Sequence, residues 1–322
     1  MTVLVIGGAG YIGSHTSFLL HEQGYEVIIL DDLSTGHKEA LLPEAVFYEG
    51  DFGNIDLLHQ IFTSHKIDAI MHFAAKASVP DSVVNPMKYY DTNVSKLQKL
   101  LDICVEYKIF NFIFSSSAAV YGESEEQPLD ENVDLIPINP YGRTKLIGEL
   151  MLQDYSKAYG LNFCAFRYFC AAGDSHKYPI GEAHAPEDHL IPKTIQKALN
   201  GEEGIIFGNK YPTKDGTCIR DFVHVEDIAK AHILGLQYIQ EGHSSDSFNL
   251  GSGEGYSVLE IMTTLQNYLD FSYSIAPPRE GDPAMLIATN EKAKEKLSWS
   301  PDASSLDNIL SSAINWEKTR QY

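Results

Sequence analysis

The sequence predicts an α/β protein with a doubly wound parallel sheet and a smaller C-terminal α/β lobe, and three observations carry that reading. Short apolar, β-branched runs alternate with segments of helical period through the first half of the chain. The first run breaks into a glycine loop that opens the first helix, and the second run ends in a pair of acids. Ligands of such sheets sit at the carboxyl ends of the strands, and every residue singled out below in the first half of the chain falls at such an end or on a helix beside one.

Thr2–Gly7 reads as a buried strand that runs into Gly7-Gly8-Ala9-Gly10-Tyr11-Ile12-Gly13, followed by a helical pattern through Leu19 and Leu20. The spacing of Gly7, Gly10 and Gly13 arises by chance in about one chain of eight with this glycine content, but its position between strand and helix is where a pyrophosphate rests on backbone N–H groups. The next strand, Glu26–Leu30, ends in Asp31 and Asp32. An acid about twenty residues beyond the glycine loop suits the ribose hydroxyls of NAD and repels the extra phosphate of NADP. Asp32 also fits a solvated acidic loop. Val46–Glu49 leads to Asp51 and Phe52, an edge and a face for an adenine. Ile67–Phe73 leads to Ala74 and Ala75, small enough for backbone to approach a cofactor. Pro86 to Tyr107 reads as one long helix with Leu97, Leu100, Leu101 and Cys104 on its apolar side. Asn93 on that helix either faces the cofactor or is polar surface. Phe112–Ser116 and Leu161–Tyr168 complete six predicted strands.

From Cys170 to Asp188 glycine, proline, histidine and acids accumulate, as in a segment that wraps a surface. Helical patterns return at 190–199, 225–239, 258–269 and 306–316. The chain has only five arginines, and Arg220 and Arg279 stand isolated among them. Each is either a fork for a diphosphate or half of a structural ion pair, with Asp221 available to Arg220.

The chemistry is predicted at Asn139-Pro140-Tyr141-Gly142-Arg143-Thr144-Lys145, read with Ser115-Ser116-Ser117. Asn139 caps a helix and Pro140 fits its first turn, which places Tyr141 and Lys145 on one face. An ammonium beside a phenol lowers its pKa by about 1–3 units, and a nicotinamide cation lowers it further. The phenol then becomes a base able to take a proton from a sugar hydroxyl, with Ser117 closing the relay if its strand ends opposite the helix. With 18 tyrosines and 19 lysines in 322 residues, about one such pair arises by chance, so the glycine loop, the serine-rich strand end and the capped helix carry the argument.

Composition bounds the partners. The net charge of −20 disfavours nucleic acid and anionic membrane, which need a basic face. No apolar stretch reaches the ~18 residues needed to cross a bilayer. Four cysteines without metal spacing point to thiols in a reducing compartment. With Thr2–Gly7 running straight into the glycine loop, without the basic segment of a signal peptide, they predict a cytoplasmic protein.

The glycine loop, the segment from Phe114 to Gly122, Pro140–Lys145, Arg167-Tyr168-Phe169, Ile206 to Thr217, Arg220 to Val225 and Phe248-Asn249-Leu250-Gly251 together resemble the UDP-glucose 4-epimerases, extended short-chain dehydrogenase/reductases of galactose (Leloir) metabolism. The resemblance runs almost end to end, and Ile206 to Thr217 is its most discriminating part. It implies a Rossmann domain holding NAD, here residues 1–170, and a UDP-sugar lobe, residues 171–322, with some C-terminal segments crossing back. It also implies a homodimer built on two helices, Pro86–Tyr107 and Tyr141–Ala158. Tyr141 becomes the catalytic base, Lys145 its electrostatic and ribose anchor, and Ser117 the partner of the sugar's 4-hydroxyl. Tyr11, Ile12, Asp31, Asp51, Phe52, Phe73, Asn93 and Phe169 fall on cofactor positions, flanked by Ser115 and Tyr168. Phe207, Arg220, Arg279 and Asp282 fall on UDP-hexose positions. The implied reaction takes the 4-OH proton to Tyr141 and the C4 hydride to NAD, swings the 4-keto sugar over, and returns both to its other face.

Three positions depart from the family's usual residues. Cys170 stands where Asn is common, which replaces an amide by a thiol of little hydrogen-bonding power. In the implied uridine site His189 stands before Leu190 where some members have Asn before Leu. Leu286 aligns with the position that gates the hexose, so an N-acetylated hexose is also expected to fit. A 4,6-dehydratase would need an acidic pair where Ala118 and Ala119 follow Ser117. An epimerase of UDP-glucuronate would need a cation for the sugar carboxylate. A non-catalytic NAD-binding regulator should have lost Tyr141 or Lys145.

Overall fold

The computed structural model describes residues 1–322 except Glu125, Glu280, Gly281 and Gln321. Thirteen strands are assigned among the described residues: β1 Thr2–Ile6, β2 Glu26–Asp31, β3 Val46–Glu49, β4 Ala69–His72, β5 Asn111–Ser117, β6 Asn162–Tyr168, β7 Cys170–Ala172, β8 Gly204–Phe207, β9 Ile219–His224, β10 Asp246–Leu250, β11 Gly255–Ser257, β12 Tyr273–Ala276 and β13 Met285–Leu286. The helices are α1 Tyr11–Glu22, α2 Ile55–Ser64, α3 Val79–Val84, α4 Pro86–Tyr90, α5 Lys96–Glu106, α6 Pro140–Tyr159, α7 Leu190–Leu199, α8 Val225–Gln240, α9 Val258–Leu265, α10 Glu291–Leu297 and α11 Leu306–Thr319.

Seven strands form the main sheet in the order β10-β6-β5-β4-β1-β2-β3, and every neighbouring pair is parallel. The β-strand period explains why these strands read as unbroken apolar runs. Val3 and Val5 point into one buried cluster with Phe18, Val27, Ile29 and Met71. Leu4 and Ile6 point into the opposite one with Ile28, Leu30, Leu97, Leu100 and Phe114. Both faces are covered, so most strand positions are apolar and the few buried polar ones, such as Ser116, Arg167 and Asn249, need partners. Strand order reverses between β1 and β4, and the loops leaving these two strands lie side by side at the carboxyl edge.

Two segments from beyond residue 170 build onto this sheet: α8 packs along α1, and β10 pairs with β6 through Asp246↔Cys164 to Leu250↔Tyr168. The remaining C-terminal elements form two small sheets. In one, β9 pairs antiparallel with β11 and parallel with β13 and β7; in the other, β12 pairs with β8. Helices α7, α9 and α11 close over a core of Ile191, Ile195, Ile261, Leu265, Ile309 and Leu310.

The expected helix Pro86–Tyr107 is helical without a break from Pro86 to Glu106, but it is not α throughout. A π turn at Asp91–Ser95 separates α4 from α5, because the Asn93 side chain is drawn into buried hydrogen bonds described below. A short helix, α3, capped by Ser78, precedes it and was not expected. Among the described residues no helix is long and apolar enough to cross a membrane.

Candidate active site

Helix α6 begins as its residues dictate. The Asn139 side chain accepts from the Gly142 N–H at 2.8 Å, and Pro140 occupies the first turn. Gly142 lies so close to the turn after β5 that an added Cβ would sit 2.3 Å from the Ala119 carbonyl oxygen. This close approach sets Tyr141 beside Ser117, the last residue of β5. The Ser117 hydroxyl accepts from the Ala119 N–H at 3.2 Å, which leaves its own proton to donate. Four residues on, the buried Lys145 ammonium donates to the Ser115 carbonyl at 2.7 Å and lies 5.9 Å from the Tyr141 ring centroid.

The electrostatics correct one expectation. Burial pushes the Tyr141 pKa above its ordinary value, where the spacing predicts a lowered one, and the Ser117 hydroxyl pulls the other way. Burial also pulls the Lys145 ammonium down to about 7, against the carboxylate of Glu149, which holds it up. Both groups are desolvated, and each has its charged form disfavoured.

Glu149 extends the same helical face one turn further, and it was missed. Spacing alone shows it, since Tyr141, Lys145 and Glu149 recur every four residues, but only burial shows its partners. It accepts from Arg167 Nε at 3.0 Å and Nη2 at 2.7 Å, and from Ser116 at 2.5 Å. Arg167 donates onward to the Tyr121 hydroxyl at 2.9 Å, which donates to Asn249 at 2.7 Å. This polar network ties β5, β6, β10 and α6 together beneath Tyr141 and Ser117, with the Arg167 and Glu149 side chains only 5% and 1% exposed. Tyr168 is buried, and its hydroxyl meets His232 Nε2; since His232 Nδ1 faces the Ile228 carbonyl at 2.8 Å, Tyr168 is the donor.

At the other end of the carboxyl edge the glycine loop makes a cradle. Gly7 has φ +83°, and a Cβ there would lie 2.6 Å from the Ala74 N atom; one on Gly13 would lie 2.1 Å from the Gly7 carbonyl oxygen. Gly10 caps α1 without a side chain, and no acid occupies the first turn, so the helix N-terminus is left to an anion. Asp31 accepts from the Ala9 N–H at 3.0 Å and the Leu33 N–H at 2.8 Å, and burial raises its pKa. Asp32 is exposed and accepts from Ser34. Phe73 and Ala74 both donate their N–H groups to the Ile6 carbonyl, so Ala74 and Ala75 follow directly beside the loop. Tyr11 donates to the Gly173 carbonyl, while Ile12 packs against the core.

Asp51 is held by Lys96 at 2.5 Å and by the Gly53 N–H at 2.7 Å. Burial raises its pKa, but these two partners more than offset it. Phe52 is buried with its ring edge toward His72, centroids 4.9 Å apart. Asn93 is buried, not surface: it accepts from the Lys76 N–H at 2.9 Å and donates to the Lys76 carbonyl and the Thr144 hydroxyl, each at 3.0 Å. It thereby fastens the loop after β4 to α6. A strand-end glycine cradle, an uncapped helix and a ribose-side acid fit a dinucleotide.

In the second lobe Arg220 pairs with Asp282 and donates to the Ile219 carbonyl at 2.8 Å. Arg279 is exposed and lies 4.1 Å above the Phe207 ring. Leu286 pairs in register with Arg220 and packs with Phe169 against Ala118, Val120 and Tyr121, the turn that follows Ser117. Cys170 pairs in register with Phe222, and burial, opposed by Arg220, pushes its thiol up to about 11. Leu190 packs in the helical core, and His189 is engaged by Glu182. Glu280 and Gly281 lie outside the described residues.

The pattern of the NAD dependent epimerase/dehydratase family matches residues 3–251. The chain belongs to that family. A UDP-glucose 4-epimerase of Halalkalibacterium halodurans is 47% identical over 99% of this chain and 96% of its own. The crystal structure of a UDP-glucose 4-epimerase from Brucella ovis in complex with NAD superposes with a TM-score of 0.94, at 43% identity over 98% of this chain and 97% of that one. A UDP-Glc/GlcNAc 4-epimerase from Campylobacter jejuni superposes with a TM-score of 0.86, at 40% identity over 98% and 99%. Family members are thus similar to this chain through both lobes.

Proposed function

We infer that this chain is a UDP-glucose 4-epimerase that uses NAD to interconvert UDP-glucose and UDP-galactose. The observation that carries the reading is the convergence of Tyr141, Lys145 and Ser117 at the carboxyl edge that also holds the glycine cradle, in a chain 42–47% identical end to end to epimerases of that name. NAD held at the glycine cradle and Asp31 would supply reversible hydride transfer at C4 of the sugar. Tyr141 takes the 4-hydroxyl proton and later gives it back, and Ser117 orients that hydroxyl. Lys145, fixed by the Ser115 carbonyl, supplies positive charge against the developing phenolate. Arg220 and Arg279 hold the diphosphate. Anchoring through the nucleotide leaves the hexose free to present either face.

The chain works as a homodimer in cytoplasmic galactose metabolism. Val83, Val84 and Met87 are 61%, 81% and 80% exposed on α3 and α4, with Leu150 exposed on α6, an apolar surface of the kind that a second copy covers. The four cysteines are free thiols. Leu286 beside the active-site turn favours acceptance of N-acetylated hexoses as well. The test is to incubate purified protein, without added NAD, with UDP-galactose and with UDP-N-acetylgalactosamine and to identify the sugars formed. UDP-glucose from the first establishes the activity. Its absence refutes the reading, and inertness of the second removes the wider specificity.

A further inference from the structure

Between the active-site edge and α7, the segment Glu182-Ala183-His184-Ala185-Pro186-Glu187-Asp188-His189 turns four side chains toward one point. One ligand-type atom from each of Glu182, His184, Glu187 and His189 lies within 4.8 Å of all the others. We propose that these four residues form a binding site for a divalent transition-metal ion of the zinc type.

The separations support it. Ligands about 2.0–2.1 Å from a tetrahedral zinc stand about 3.3–3.4 Å apart. His184 Nδ1 is 3.3 Å from Glu182 Oε1 and 3.7 Å from Glu187 Oε2, and His189 Nδ1 is 3.9 Å from Glu187 Oε1. His189 Nδ1 and Glu182 Oε1 are closer than this and part slightly around an ion. Two imidazoles and two carboxylates suit zinc in chemistry and leave the loaded site electrically neutral.

A second observation points into the same space. His184 Nδ1 is buried and finds no hydrogen-bond partner of adequate geometry, although it faces two carboxylates. A metal ion would take the place of protons on the imidazoles and offset both carboxylates.

The site would be structural, because all four positions are protein side chains and none is left open. Its neighbours show what it would hold. The Glu182 carbonyl accepts from the Trp316 indole at 2.7 Å, the Glu182 N–H donates to Asp174 at 2.6 Å, and His184 sits edge-on to Tyr11 with centroids 6.5 Å apart. The ion would therefore pin the segment that joins α1 and the glycine cradle to α11.

The proposal is tested on tag-free, full-length protein stripped with a chelator and titrated with zinc and with cobalt. One ion per chain by elemental analysis is expected, with cobalt giving the visible absorption bands of a tetrahedral site. Glu187→Gln and His184→Ala should each weaken binding about 100-fold. Binding should also tighten as pH rises, with proton release measured in weakly buffered solution. A wild-type protein that takes up less than a tenth of an equivalent overturns the proposal. So does a cobalt spectrum that is octahedral or unchanged in folded Glu187→Gln protein. Should both variants fail to fold, the wild-type stoichiometry and spectrum decide alone. None of these readouts depends on the sugar chemistry.

Discussion

Replacing Glu149 by glutamine should damage the protein through a charge rather than a contact. The substitution preserves shape, but it leaves the Arg167 guanidinium, whose side chain is 5% exposed, without its counter-charge. The hydrogen bonds from Arg167, at 3.0 and 2.7 Å, lose their charge assistance, and the new amide nitrogen can accept from neither Arg167 nor Ser116. Removing one partner of a buried ion pair costs about 3–5 kcal/mol, a large share of the ~5–15 kcal/mol that holds a typical protein folded. Urea unfolding followed by tryptophan fluorescence would measure it, since Trp299 and Trp316 are both buried. Glu123→Gln, at an exposed position, should change stability by less than about 0.5 kcal/mol. Replacing both partners, Glu149→Leu with Arg167→Met, should recover much of the loss because no charge is then stranded. A Glu149→Gln loss under about 1 kcal/mol would refute the claim that this pair is desolvated. The same variant removes the carboxylate that holds the Lys145 pKa up, so the ammonium should titrate lower still.

Three further outcomes are expected. Gly13→Ala should purify with at most about a tenth of the NAD found in the wild type, measured on extracted nucleotides, because the new Cβ would stand 2.1 Å from the Gly7 carbonyl oxygen. His15, His72, His224 and His232 are buried and pulled down by burial to about 4, 3, 3 and 4. The unfolded chain thus binds more protons between pH 6.5 and those values, and stability falls as pH drops through that window; His72→Leu should lessen the fall by about 1.4 kcal/mol per pH unit in urea titrations at successive pH values. Val84→Lys with Met87→Lys should convert a dimer into a monomer by light scattering, whereas an unchanged mass would place the interface elsewhere.

What the sequence shows of this protein follows from where the information is local. The strands of the first half are legible because both faces of the sheet are buried, so Thr2–Ile6 and Glu26–Asp31 read as apolar runs. The cradle is legible because Gly7 and Gly13 are needed for clearance within the loop and against the neighbouring strand end. Asn139 and Pro140 announce α6 through capping chemistry alone. The π turn at Asp91–Ser95 is not legible, since it depends on bonds from Asn93 to Lys76 and Thr144, which are distant in sequence. Nor is the pairing of β10 with β6, which brings Asn249 to Tyr121 across the site. The expectation for the phenol went the wrong way because spacing reports adjacency but not desolvation. Only the packed structure shows that Lys145 is buried deeply enough for its pKa to fall to about 7. Likewise, the cluster of Glu182, His184, Glu187 and His189 is plain as letters, yet only the turn of the chain brings its atoms together.

The central claim rests on one oxygen. Epimerisation of UDP-galactose by Tyr141→Phe protein, with bound NAD assayed in the same preparation, tests it most directly. The account predicts a kcat lowered about 100- to 10,000-fold with NAD content unchanged. Turnover near that of the wild type in NAD-loaded Tyr141→Phe protein would contradict it.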